Sequence, residues 1–85
     1  MRQLTLEQRY IVTAHADDEM NADDLTVYDL ERIVLTGSIV ERQKDETTFE
    51  YKYRVCGQTV DGLAAEIAAK LSVTGKLVFI TIYLL

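Results

Sequence analysis

Residues 63–71, with the sequence LAAEIAAKL, decide the fold of this chain because they fit two secondary structures. The run is rich in strong helix formers, and Leu63, Ile67 and Leu71 recur every four residues, as on one face of a helix. The same run alternates as a strand, since every second residue from Leu63 to Leu71 is apolar and would share one face of a sheet. Propensity alone favours the helix, and the pattern of the residues leaves both structures open.

The segments on either side of this run have a strand period. Residues 76–84 are apolar on both faces, with Thr81 and Tyr83 grouped on the face of Leu77, and this pattern suits a central strand covered on two sides. Residues 48–56 alternate strictly, with charged or small side chains on one face. The opposite face of that strand consists of Phe49, Tyr51, Tyr53 and Val55.

Turn signals separate these segments. A short strand is predicted at 38–42 and is followed by a polar turn at 44–46. The dipeptide Asp61-Gly62 reverses the chain before residue 63, and residues 72–75 predict a tight turn after residue 71. The second half of the chain is therefore expected to contain consecutive antiparallel strands, if residues 63–71 are one of them.

The best-signalled helix covers residues 27–36. Thr26 is its predicted N-cap, and Asp29 lies at the third helical position, where its carboxylate can complete a capping box. Gly37 supplies the C-terminal stop, since glycine has no Cβ to oppose a change of backbone direction.

The first part of the chain predicts two shorter helices around an extended segment. Thr5 begins a capping box that predicts a helix over 6–9. The β-favouring run 10–13 follows, and Thr13 at its end caps a helix over 14–21.

The composition is that of one ordinary globular unit. The 85 residues are 48% hydrophobic and 27% charged, with no proline, so we expect a single domain over residues 1–85. The longest apolar run, 77–85, is too short to cross a bilayer, and no signal-peptide segment is visible, so a cytoplasmic protein without membrane contact is expected. Cys56 is the only cysteine and His15 the only histidine, so they cannot build a four-ligand zinc site, and no metal or organic cofactor is indicated.

The charge of the chain is unevenly distributed. A formal net charge of −5 opposes unspecific binding to nucleic acid, because that affinity comes mainly from Lys and Arg. Residues 1–43 carry nine acidic and four basic side chains, whereas residues 44–85 carry five of each. The second half can therefore still present a local basic face.

Three motifs are spaced along nearly the whole chain. They are YIVTAHADDEM at 10–20, GQTVDG at 57–62 and KLVFITIY at 76–83. In this order they resemble a bacterial family, domain-of-unknown-function family 4258. Members of that family are thought to share the fold of the RelE/ParE-like toxins of toxin–antitoxin systems. The resemblance implies an α+β fold, with N-terminal helices packed on a four-stranded antiparallel sheet in which residues 63–71 are a strand.

The toxin-like fold hosts messenger-RNA endonucleases, gyrase poisons and inactive relatives, so the fold alone does not define a function. Related toxins are commonly basic and often carry Arg where this chain has Lys52. This chain is acidic.

Four residues are candidates for chemistry. His15 is the first candidate for a general acid or base, because its ordinary pKa lies near neutrality. The alternative is that His15 is a structural histidine at the helix–sheet junction. Lys52 and Arg54 share one strand face and can converge on a phosphate or substrate, or else pair with acids such as Glu50, Glu66 or Glu41. The hydroxyl of Tyr83 can assist catalysis, or else Tyr83 is a core ring with its hydroxyl at the rim.

Two functions follow from these features. The first is a non-catalytic domain that pairs with itself as a homodimer, or with another protein, through its sheet, because the strands carry more apolar surface than two short helices can cover. The second is a small metal-independent endoribonuclease, with His15 and Tyr83 as catalytic residues and with Lys52 and Arg54 holding the scissile phosphate of RNA. We favour the first, because catalysis on RNA by an acidic protein needs a special basic patch.

Overall fold

One mixed sheet organises the chain. The computed structural model describes residues 1–85, which form α1 (Arg2–Leu6), β1 (Ile11–Val12), α2 (Ala14–Ala22), α3 (Val27–Thr36), β2 (Ser38–Lys44), β3 (Tyr51–Gln58), β4 (Ala64–Leu71) and β5 (Leu77–Leu84). The five strands lie in the order β1-β5-β4-β3-β2. Strands β2 to β5 are antiparallel neighbours, and the short β1 runs parallel to β5. The α+β class is confirmed, while the expected four-stranded antiparallel sheet gains a fifth, parallel strand at its β5 edge.

Residues 64–71 are a strand, as the resemblance implied and against their helix propensity. β4 lies between β3 and β5, so its backbone is paired on both sides. Ala65, Ile67 and Ala69 are fully buried under the helices. Helix propensities differ by less than about 1 kcal/mol per residue, so this paired and buried setting outweighs them.

The helices cover one face of the sheet. α3 packs on β3 and β4, and α2 packs on β5. We call the covered face, which contains the cross-strand neighbours Val55, Ile67 and Ile82, the helix-side face, and the other the open face. The buried apolar residues between the layers form one cluster: Ala16, Met20, Leu25, Leu30, Ile33, Val34, Ala65, Ile67, Ala69, Leu77, Phe79 and Ile82. None of the helices combines the length and the apolar composition that a membrane span requires.

The predicted first helix at 6–9 is wrong. α1 ends at Leu6, and Thr5 lies inside it rather than before it, with its hydroxyl donating to the carbonyl oxygen of Met1 at 3.0 Å. The helix places Met1 and Leu4 against the core, and it ends where Gln8 takes a left-handed φ of 57°. Burial of apolar side chains before Thr5 therefore outweighs the capping signal after it.

The other helices agree with their capping signals. The Thr13 side chain accepts a hydrogen bond from the N–H of Ala16 at 3.1 Å and begins α2. Thr26 and Asp29 form the expected capping box at the start of α3. Gly37 does end α3, but with φ at −87°, so its backbone does not require glycine. It is required by contact, because a Cβ atom there would lie 2.5 Å from the carbonyl oxygen of Ile33.

The bounds of β2 and β3 differ from the predicted strands at 38–42 and 48–56. β2 continues to Lys44, and β3 begins only at Tyr51 and runs to Gln58. The side chain of Asp45 accepts hydrogen bonds from the N–H groups of Thr47 and Thr48, at 2.8 and 3.1 Å, and closes a turn there. This local hydrogen bonding competes with the sheet and removes residues 48–50 from the strand.

A bulge in β5 changes which residues share a face. Ala68 lies opposite Thr81, whereas Ala69 lies opposite Phe79, so Ile80 is the extra residue. Thr81 and Tyr83 consequently lie on the open face, and Ile82 turns to the helix side. The prediction that Thr81 and Tyr83 share the face of Leu77 and Phe79 is therefore wrong, because a bulge shifts the alternation by one residue.

Candidate functional site

The open face brings three of the four candidate residues onto one surface. Glu41, Arg54, Ala68 and Thr81 are successive cross-strand neighbours from β2 to β5. On one side of this row lies another with Cys56, Glu66 and Tyr83, and on the other side lies a row with Lys52, Lys70 and Val78. The open face therefore includes Lys52, Arg54 and Tyr83.

Arg54 is held between two carboxylates. Its guanidinium nitrogens lie 3.5 Å from Glu41 Oε2 and 3.6 Å from Glu66 Oε2. Glu66 is only 6% exposed and also accepts a hydrogen bond from the Cys56 thiol, with Sγ 3.3 Å from Oε1. The charge of Arg54 is thus largely balanced within the sheet, which leaves little of it for a phosphate.

Lys52 is exposed and forms no ion pair. Its neighbour across the strands is Lys70, whose Nζ lies 3.7 Å from Glu50. Glu50, one of the acids that the sequence offered for Lys52, is therefore used by Lys70. Lys52 is the free cation of the candidate set.

His15 lies in the first turn of α2 with its side chain 71% exposed, and its Nε2 is 3.3 Å from Glu19 Oε1. Glu19 ties α2 to β5, because it accepts hydrogen bonds from the N–H of Ile82 at 3.2 Å and from the Thr81 hydroxyl. β1 pairs only with residues 78 and 79 of β5, so Glu19 caps the strand edge that β1 leaves open. Glu19 follows His15 by four residues on the same helix, but no local pattern signals its contact with β5, which lies more than sixty residues away.

Three of the four candidates share the open face and His15 lies on α2 at its rim, and the four side chains do not converge. Ala68 and Thr81 separate Arg54 from the α2 edge that carries His15, and two strand spacings alone amount to about 10 Å. Tyr83 lies opposite Glu66 and is 37% exposed. We find a charged, internally paired surface here rather than residues directed at one reacting atom.

A second surface lies at the β2 edge of the sheet. β2 is the outermost strand, and all seven of its residues are exposed. Beside it an open cavity of about 540 Å³ separates β2 and β3 from α1 and α3. We call this cavity the edge groove; it is lined by Met1, Arg2, Gln3, Val34, Gly37, Ser38, Ile39 and Val55.

The fold and these surfaces define a small α+β protein with an ion-paired open face and an uncovered sheet edge. The chain belongs to the family described as Domain of unknown function (DUF4258), which matches residues 12–84. The matched region runs from β1 to the end of β5 and leaves α1 outside. No curated protein matches the chain, and no solved structure matches it either.

Proposed function

We propose that this protein is a non-catalytic protein-interaction domain that binds an extended protein segment as an additional strand on β2. The observation that carries this proposal is the state of β2, an outermost strand with no buried residue. Outward N–H and C=O groups of such a strand can pair with a partner backbone, and this pairing supplies affinity in strand-addition complexes.

The edge groove allows β2 to discriminate between partner sequences. In strand addition, pockets for alternate side chains of the partner provide specificity. The groove offers an apolar lining from Val34, Ile39 and Val55 directly beside β2. A partner strand on β2 can therefore place one apolar side chain in it.

Two features of β2 limit indiscriminate pairing. β2 carries charged side chains at Glu41, Arg42 and Lys44, and its register with β3 shifts between Ile39 and Glu41. Exposed sheet edges avoid aggregation by both means. An edge with these devices still accepts a strand whose side chains match it. We therefore expect a selective partner, either another protein or a second copy of this chain.

The toxin-like fold is part of this proposal. Helices α2 and α3 on the antiparallel strands β2 to β5 support a RelE/ParE-like arrangement, together with membership of the family. In this proposal the protein is a relative of the RelE/ParE-like toxins that binds another protein chain and does not cleave RNA. The ion pairs of Arg54 with Glu41 and Glu66 support this choice over catalysis, because they use a cation that RNA chemistry would need.

The test compares tagged wild type with the double variant Ile39→Lys and Val40→Lys, both purified from the cells that encode the protein and studied by sedimentation. We expect a stoichiometric partner, or a dimer, with wild type and its loss with the variant. Val73→Lys is the control, since Val73 is also an exposed apolar residue, at 74% against 56% for Ile39 and 50% for Val40, but lies in the turn before β5. A monomer without any partner, or equal association of all three proteins, would refute the proposal.

The alternative is a small metal-independent endoribonuclease. It is favoured by the pairing of exposed His15 with Glu19 at one rim of the open face and by the free charge of Lys52 on that face. In this reading His15 and Tyr83 act in catalysis, and Lys52 and Arg54 hold the phosphate. Inducible expression of wild type beside His15→Ala, with growth and RNA integrity as readouts, distinguishes the alternative from the proposal.

A further inference from the structure

We infer that the segment which binds β2 is acidic: an extended strand of another protein with an apolar residue for the edge groove, followed at alternate positions by carboxylates. This inference rests on the proposed function and names the chemistry of its partner. It follows from the side chains that β2 presents on the helix-side face.

The helix-side face of the β2–β3 hairpin changes character along its length. Ile39 lies opposite Val55 at the edge groove, and beyond the groove Arg42 lies opposite Tyr53 and Lys44 opposite Tyr51. This face is therefore apolar at the edge groove and basic at the other end of the hairpin, where Arg42 and Lys44 lie. Tyr51 and Tyr53 are partly exposed and lie outside the buried core cluster, so α3 leaves this end open.

Arg42 and Lys44 are held by aromatic rings rather than by carboxylates. The Arg42 guanidinium lies 5.2 Å from the centre of the Tyr51 ring, and the Lys44 ammonium lies 5.4 Å from that of Phe49. Neither forms an ion pair within the protein. Cation–π contacts orient both groups at this surface and leave their N–H donors for a carboxylate of a partner.

The charges of β2 disfavour a second copy of this chain as the occupant. In a two-fold antiparallel pairing centred on Glu41, the two Glu41 side chains stand opposite each other, and centring on Arg42 does the same for two arginines. Like charges directly opposite in a sheet are destabilising. An acidic strand from another protein avoids this repulsion and meets Arg42 and Lys44 with the opposite charge.

The geometry of a strand sets the spacing of the partner sequence. Alternate residues of an added strand point to the same face, so its helix-side residues are two positions apart. In the pairing of β2 with β3, Val40 is the extra residue, so Val55 and Tyr53, two positions apart, lie opposite Ile39 and Arg42. A partner strand that pairs with β2 in the same way has one apolar residue beside Ile39, followed at alternate positions by carboxylates beside Arg42 and Lys44. The partner pattern is apolar-x-acidic-x-acidic, read along the partner in the direction from the groove to the turn that contains Asp45.

The experiment titrates the protein with two fluorescent acidic peptides, Thr-Val-Thr-Glu-Thr-Glu-Thr for a strand parallel to β2 and Thr-Glu-Thr-Glu-Thr-Val-Thr for an antiparallel one. Each is compared with the basic peptide in which Lys replaces both Glu residues, and anisotropy and backbone amide shifts are followed. We expect the acidic peptide to bind about three- to tenfold more tightly, as two partly exposed ion pairs allow, and to shift the amides of β2. The double variant Arg42→Glu and Lys44→Glu should reverse the preference. Lys52→Glu, on the same hairpin but on the open face, should keep it.

Each other outcome has a defined meaning. If both peptides bind wild type equally and Ile39→Lys abolishes binding, the proposed strand addition holds and the acidic partner is refuted. If no peptide of either chain direction binds at up to about 1 mM, both proposals fail. If a single-stranded RNA oligonucleotide, rather than the acidic peptide, shifts the resonances of Arg42 and Tyr51, the surface binds nucleic acid and the inference is overturned.

Discussion

At the level of single residues, Asp29 links the start of α3 to the turn after β3. Its carboxylate accepts hydrogen bonds from the N–H of Thr26 and from the N–H of Val60, both at 2.9 Å, while the side chain is largely buried at 8% exposure. Burial alone would raise the pKa of Asp29, but the hydrogen bonds from Thr26 and Val60 lower it below its ordinary value. The ionised form is therefore stabilised by folding.

We expect Asp29→Ala to lower the free energy of unfolding by about 1–3 kcal/mol at neutral pH, because two backbone N–H groups lose their acceptor. A carboxylate whose pKa is lowered by folding stabilises the protein at pH values above its unfolded-state pKa of about 3.9. This stabilisation is lost as the pH falls through the pKa of the folded state. The difference between wild type and variant should therefore shrink in acid. Urea unfolding across this pH range measures it, with exposed Asp61→Ala as control; a difference independent of pH would contradict the account.

Cys56 should react slowly. Its pKa is raised by burial first, and also by its hydrogen bond to Glu66 and the charge of that carboxylate, against the opposing charge of Arg54. Since the thiolate is the reactive form, we expect alkylation of the native protein by iodoacetamide to be slower than that of the urea-unfolded chain at the same pH. Glu66→Gln should accelerate alkylation of the native protein. The negative charge of Glu66, which raises the pKa of the thiol, is then removed, and the positive charge of Arg54, which lowers it, remains. Equal rates in the folded and unfolded states would show that Glu66 does not control this thiol.

At the level of elements, the close approach of α3 to β3 depends on a residue without a Cβ. A Cβ atom built at Gly57 would collide with the carbonyl group of Ile33 and crowd the backbone of Gly37. These are backbone atoms, so neither element can yield without moving as a whole. The contact fixes the distance between the helix layer and the hairpin that contains β2.

We expect Gly57→Ala to cost about 2 kcal/mol or more of unfolding free energy, because α3 must move off the sheet. The matched change, Gly62→Ala, introduces a Cβ into open space at a φ of +81°, so only backbone strain of about 1 kcal/mol should appear. Urea unfolding of both variants provides the comparison. Equal losses would mean that the approach of α3 to β3 is not tight.

The elements also show which features a single sequence can reveal. α3 was predictable because Thr26 and Asp29 form a local signal that needs no tertiary partner. β4 was predictable only from the family resemblance, since its alanines favour a helix until β3 and β5 pair with them. The β5 bulge at Ile80 was not predictable, because a strand that is apolar at every position shows no alternation from which a shift could be read.

The candidate site was predictable to a similar extent. Alternation correctly grouped Lys52 and Arg54 on one face, because it depends on the strand alone. The distance of His15 from Arg54 depends on strand order, with β4 and β5 between them, and no local pattern contains that order. The partners of Arg54 were suggested by charge, but only the register of β2 and β4 brings Glu41 and Glu66 to it.

At the level of the whole molecule, the charge distribution bears directly on nucleic-acid chemistry. The formal net charge of −5 lies wholly in residues 1–43. These residues form the helices that cover one face of the sheet, and they also form most of β2, which contains Glu41. On the open face Arg54 and Lys70 are matched by acids, so Lys52 remains as an isolated cation. A long polyanion is thus repelled by the net charge of the molecule, and the open face offers it no compensating basic groove.

We therefore expect purified wild-type protein to leave total cellular RNA intact and its induced expression to leave growth unchanged, because the residues required for cleavage do not converge and only Lys52 among them keeps an unpaired charge. Electrophoresis of RNA incubated with wild type and with His15→Ala, at low and at physiological salt, measures this directly. Low salt is the demanding condition, since electrostatic attraction to phosphates is strongest there. Cleavage by wild type that disappears with His15→Ala would establish the ribonuclease instead, and loss of that cleavage with Lys52→Ala would place the RNA on the open face rather than along β2.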